Sequence, residues 1–321
     1  MLLTEAIGAL LISTRVEGRS QETVKGYRRK LKPLVAFLGD VPVEEVTTGD
    51  LRRYIVHLME RPTRWRDHPK HQERPGGLSP FTVAGHVRAA KRLFNWLEGE
   101  GVIEISPTRR IRTPRPKRRE PKAIELEHFL ALLATTEGES VADLRDRAIL
   151  LFLADTGCRV GGLCGLRVQD VDLEAGLAVL TEKADKTRFA PFNRPTAEAL
   201  EAWLKMRSQH QGPWLFVSLG PRARGRLSSS GVAQMLKRRA QRAGVKGRVN
   251  PHAFRHFFAR EFLMNGGDLA TLADLMGHSS VEVTKASYAI FTVRELQEKH
   301  RRHSPVAKLL GGDEDGKSRR S

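Results

Sequence analysis

The chain has 321 residues, 40% of them apolar and 29% charged, with a formal charge of +18. Two domains are expected at that length, the apolar share excludes a largely disordered chain, and the lack of any uncharged apolar run of 18 residues excludes a hydropathy-type membrane span. A field this positive gathers polyanions, and both halves carry it, at +11 for residues 1–122 and +7 for the rest, so nucleic acid is the first partner to consider.

At the start, "MLLTEAIGALLIS" lacks both a basic leader and a small-residue cleavage site, which gives the expectation of an unexported, cytoplasmic protein with no membrane partner. Residues 20–38 place Val24, Tyr27, Leu31, Leu34, Val35 and Leu38 at spacings of three and four, which predicts an amphipathic helix ending near Gly39. Lys25, Arg28, Arg29 and Lys32 cover much of its remaining surface. Helices are also predicted at 48–60 and 79–98, so the first hundred residues read as wholly helical. Between them "RPTRWRDHPKHQERPGG", 61–77, has three prolines and paired glycines and reads as an irregular loop. Its His68 and His71 have no further ligand cluster nearby to make a metal site. The segment 109–122, with eight basic residues and three prolines, is expected to be an interdomain strap able to lie against phosphates.

Beyond it, helical patterns at 125–134 and 142–155 run into "DTGCRVGGLCGL", where Gly157 is placed to stop one helix before another begins. Cys158 and Cys164, the sole cysteines, are expected to be reduced structural thiols. Residues 176–192 predict a hairpin turning at Ala184-Asp185, with Lys183 and Lys186 flanking the tip. Helices are predicted again at 195–207, 228–243, 250–264, 268–276 and about 280–302.

In "NPHAFRHFF" Asn250 is a good N-cap and Pro251 a good first helical residue. At about 100° per residue, His252, Arg255 and His256 then share one arc of the helix, opposite Phe254, Phe257 and Phe258. The following helix stops at Gly277 and delivers His278; Ser279 and Glu282 have capping-box spacing for a last helix carrying Tyr288. Taken singly each of these residues has an ordinary packing explanation.

Together and in this order, "TGCRVGGLCGL", Lys183 in a hairpin, "HAFRH", "MGHSS" and "SYAIF" resemble the tyrosine recombinases, or phage integrase family, over about residues 120–305. A weaker match joins the helical N-terminal region to that family's core-site DNA-binding domain. The resemblance implies a mainly α fold with a small β-sheet: a helical SAM-like core-binding domain (1–108), the basic linker (109–122), a mixed α/β catalytic domain (123–311) and a disordered tail (312–321). It implies Arg159, Lys183, His252, Arg255, His278 and Tyr288 as the catalytic set, double-stranded DNA as partner, a homo-tetramer on paired DNA sites, and no cofactor or metal. A swapped C-terminal segment at 292–310 would link the protomers. One position departs: the acidic residue usual three places after the first arginine is Gly162, preceded by Gly161.

The chemistry suits those residue types. A phenol of pKa near 10 is only about one part in a thousand ionised at neutral pH, so Tyr288 needs a base, and His252 has the right proton affinity. Arg159 and Arg255 provide planar forks for a phosphate that gains charge in the transition state. Lys183 would protonate the departing 5' oxygen, and His278 would donate to the phosphate. The family resemblance thus implies site-specific recombination through a 3'-phosphotyrosyl link, without ATP. A non-catalytic DNA-binding relative and a type IB topoisomerase remain as alternatives at this stage.

Overall fold

The computed structural model describes residues 1–64, 72, 74–116, 123–181, 187–207, 212–219, 225–277, 280–282, 284 and 300. Expectations for His68, His71, Lys183, the Ala184-Asp185 turn, Lys186, His278, Tyr288, most of the last helix and the 312–321 tail fall outside the described residues. The chain divides into two compact units, Met1–Arg119 and Glu120–Ser321.

The first unit holds helices α1 (Leu3–Val16), α2 (Gln21–Leu38), α3 (Thr48–Glu60) and α4 (Pro80–Gly99). Side-chain caps start three of them: Ser20, Thr47 and Ser79 accept from the main-chain N–H of Thr23, Asp50 and Thr82. At α3 the Asp50 carboxylate takes the Thr47 N–H in return, a reciprocal box that satisfies two otherwise orphaned donors. The heptad-like apolar positions then meet in one core, in which Leu3, Leu10, Leu31, Leu34, Leu51, Tyr54, Leu93 and Phe94 are fully buried. The expectation of a wholly helical region is corrected at one place. The proline-rich loop is closed at its base by two-residue strands β1 (Thr63–Arg64) and β2 (Arg74–Pro75), which pair antiparallel. Ile111, in the basic segment, belongs to this core, and the Lys91 ammonium donates to its carbonyl at 2.9 Å.

In the second unit come α5 (Leu126–Ala134), α6 (Val141–Thr156), α7 (Val160–Gly165), β3 (Val171–Asp172), β4 (Leu177–Thr181), β5 (Thr187–Pro191), α8 (Arg194–Met206), α9 (Ser229–Arg242), α10 (Pro251–Met264) and α11 (Leu269–Met276). The strands form an antiparallel sheet in the order β3-β4-β5, with Val179 opposite Phe189. This is the expected mainly helical fold with a small sheet. Alternation along the hairpin sends Ala178, Leu180 and Ala190 into the core and leaves Phe189 66% exposed. α6 runs through the middle, burying Ala148, Ile149, Leu150, Phe152 and Leu153, and it packs on α8 and α10.

A buried ion network ties the N-terminal half of α6 to α9. Arg145 donates from Nε to Asp146 Oδ1 at 3.0 Å, and Arg239 from Nε to Asp146 Oδ2 at 2.9 Å. Arg239 also reaches Asp143 at 2.8 Å, and its remaining donors meet the carbonyls of Thr135 and Ala142. Each buried charge is thereby matched, the condition under which such charges are tolerated.

α6 ends at Gly157, as the sequence predicts, with φ of 55°. Glycine is required there twice over. The left-handed conformation disfavours a side chain, and a Cβ would sit 2.4 Å from Phe258 Cδ1. That close approach presses the C-terminus of α6 against α10 and brings Arg159, two residues on, to the start of α7.

Candidate active site

α10 begins as its sequence directs. Asn250 accepts from the Ala253 N–H at 3.0 Å, Pro251 takes the first helical position, and Phe254 and Phe257 are buried against Phe129 of α5. His252 stands on the exposed first turn, with the His256 ring edge-on to it at a centroid distance of 4.4 Å. The shared outward side expected for His252, Arg255 and His256 is corrected for Arg255, which is 2% exposed.

The reason lies in the ends of two other helices. The last carbonyls of a helix have no partner within it. Arg255 satisfies one from each neighbour, donating from Nη1 to Gly157 at 2.8 Å and from Nη2 to Met276 at 2.7 Å. One guanidinium thus pins the end of α6, which leads to Arg159, to the end of α11, which leads to His278.

A second arginine, which sequence reasoning missed, lies alongside. Arg188 of β5 donates from Nη1 to the Leu275 carbonyl, one residue before the acceptor of Arg255. Burial, together with the charge of Arg255, pulls its guanidinium down to about 10, so it stays charged at neutral pH. The buried Cys158 thiol is close enough to both guanidiniums to feel their charge, while burial itself pushes that thiol upward. The missed signal was the strand pattern: in "TRFAP" Arg188 shares the inward face with Ala190 and Phe189 points outward, the reverse of what hydrophobicity alone suggests.

The histidines feel the same cations. His252 is held below its usual 6.5 first by loss of hydration around its ring, then by the charges of Arg255, Arg248 and Arg159. His256 is pushed to about 4, mainly by burial and then by His252, Arg255 and Arg248. Of the six expected site residues, Arg159 and Arg255 lie near enough His252 for their charges to act on it, as does Arg248, while Arg188 lies beside Arg255. Lys183, His278 and Tyr288 lie outside the described residues. Gly162, at the position where the family usually has a carboxylate, is buried in α7.

Such a group of fixed cations around a near-neutral imidazole suits a phosphodiester and a proton transfer. Among the described residues no three His, Cys, Asp or Glu side chains are grouped to hold a metal ion, and no helix is long and apolar enough to cross a membrane.

Comparison with known proteins decides the family. Residues 122–293 match the phage integrase family, and residues 11–66 match the phage integrase N-terminal SAM-like domain. The chain belongs to the phage integrase family. It is 35% identical to the tyrosine recombinase XerD of Mycobacterium leprae over 290 residues, covering 86% of this chain and 89% of that relative. Among solved structures it resembles XerA recombinase, at 26% identity and a TM-score of 0.51, over 94% of this chain and 99% of that one. The fold alone is shared with the Tn1549 transposon integrase in complex with a circular-intermediate DNA, at 18% identity and a TM-score of 0.69, covering 92% and 98%. This tyrosine recombinase is accordingly a site-specific recombinase, an enzyme of DNA strand breakage and rejoining.

Proposed function

We propose that this recombinase cleaves double-stranded DNA, one strand at a time, with Tyr288 as nucleophile, working as a homo-tetramer on paired sites in the cytoplasm. His252 takes the phenolic proton, the phenolate forms the new bond to phosphorus, and the bond from phosphorus to the 5' oxygen breaks. Lys183 protonates that oxygen. Arg159 and Arg255 hold the non-bridging oxygens as their charge grows, and His278 donates a further hydrogen bond. The 3'-phosphotyrosyl link stores the bond, so a 5' hydroxyl of the partner strand can attack it and expel Tyr288 without ATP or a metal ion.

The observation that carries this reading is that Arg255, Arg248 and Arg159 lie near enough His252 for their charges to act on it. Loss of hydration first, and those charges second, hold its imidazole below the usual 6.5, which favours the proton-accepting form. The basic N-terminal unit, with its match to the SAM-like domain, supports a second contact with DNA. To test it, nicked duplexes that trap covalent protein-DNA complexes are selected from a randomised pool with the full-length chain. The expected result is a covalent band lost completely in Tyr288→Phe; a band of undiminished strength in that variant removes the nucleophile assignment.

A further inference from the structure

We propose that Arg188 is a positioning residue of the recombination site, acting through the last turn of α11 to keep Arg255 aimed at the phosphate. The inference rests on the active-site reading above.

Two guanidiniums from different parts of the fold meet successive carbonyls of one helix end: Arg188 that of Leu275, Arg255 that of Met276. A helix end held only at its final carbonyl can fray, since the last turn has no hydrogen bonds beyond it. With Leu275 fixed from β5, the Met276 carbonyl keeps a set direction, and so does the Arg255 Nη2 that donates to it. Arg255 is meanwhile anchored on its other side by Gly157. The plane of its fork is thus defined by three helix or strand elements.

The arrangement is costly for stability. Arg188 is largely desolvated on the inward face of a strand, beside a like charge, and its guanidinium titrates well below the ordinary arginine value. An apolar side chain on that inward face would meet Ala190, Cys158 and the α11 end without that penalty. Retaining a cation at a position where burial opposes it points to a role in alignment rather than in folding. The carbonyls of Gly157 and Met276 fix two of the donors of Arg255 and so set the direction of its fork.

The test uses the full-length chain and the nicked duplex that it cleaves. Single-turnover formation of the covalent complex, the Kd for the duplex and the Tm are measured for wild type, Arg188→Met, Arg188→Lys, Arg255→Lys and the Arg188→Met, Arg255→Lys double variant. Misplacement of a reacting group by about 1 Å costs on the order of 100-fold, and Arg188→Met is expected to slow cleavage roughly 10- to 100-fold, with Kd unchanged and Tm undiminished. Arg188→Lys, which keeps a cationic donor for Leu275, should recover part of the rate. The double variant should be no slower than Arg255→Lys, because residues acting through one another are not additive. Wild-type cleavage by Arg188→Met, fully additive losses in the double variant, or a Tm that falls along with activity in both Arg188 variants would overturn the inference. Wild-type cleavage by Arg255→Lys would instead remove the active-site reading on which it stands.

Discussion

The second unit places two clusters of arginine away from solvent, and their described partners differ. Arg145 and Arg239 share the Asp146 carboxylate, and Arg239 reaches Asp143 as well. Arg255 and Arg188 donate instead to the main-chain carbonyls of Gly157, Met276 and Leu275. In the first cluster charge is matched by charge, and the result is a strut between α6 and α9. In the second, main-chain carbonyls fix the direction of the forks, which suits the phosphate-holding role proposed for Arg255. Among the described contacts, carboxylates answer the first group and main-chain carbonyls are prominent in the second.

The strongest way to break that comparison is Asp146→Asn, which leaves Arg145 and Arg239 buried without their shared ion. Loss of one partner in a buried pair is expected to cost about 3 to 5 kcal/mol, read as a fall in denaturant midpoint, while the folded fraction still cleaves DNA. Little change in midpoint would mean that the strut contributes nothing. Arg255→Lys should show the opposite balance: cleavage about 100- to 1000-fold slower, as when one transition-state donor is removed, with a stability loss of about 1 to 3 kcal/mol from the carbonyl left without its donor, smaller than that of Asp146→Asn. Thr47→Ala, outside both clusters, removes only the cap of α3 and should cost ~1 kcal/mol with no effect on chemistry, giving a baseline for an ordinary stability loss.

The smallest effect concerns pH. His252 acts as a base only when neutral, and its folded value lies below 6.5, so cleavage should hold as pH falls past 6.5 and decline only through that lower value. Arg248→Gln removes one of the cations that depress it, so the acid limb of the pH-rate profile should move toward higher pH. A limb that moves the other way, or not at all, would place Arg248 too far from His252 to matter.

Some of this was readable from residue order alone. Asn250-Pro251 set the start of α10, Gly157 the end of α6, and the phenylalanine stripe the buried side of α10, because caps, left-handed turns and helical periodicity depend on neighbours within a few residues. The two short apolar runs of 176–192 likewise foretold the β4-β5 pair. The burial of Arg255 was not foreseen, and Arg188 was not seen. Both errors share a cause: a helical wheel or a strand pattern assigns a charged residue to solvent, and has no knowledge of carbonyls brought in from elsewhere.

Local chemistry by itself therefore determined most of the elements and their limits, while the candidate residues for phosphodiester cleavage came from the order and spacing that resemble the family. Only the tertiary structure decided that the ends of α6 and α11 converge on one guanidinium, with a strand arginine beside it, and that burial and the cations nearby lower the proton affinity of His252. The physical reason is that helix-end carbonyls acquire their partners, and ionisable groups their surroundings, from segments up to about a hundred residues away.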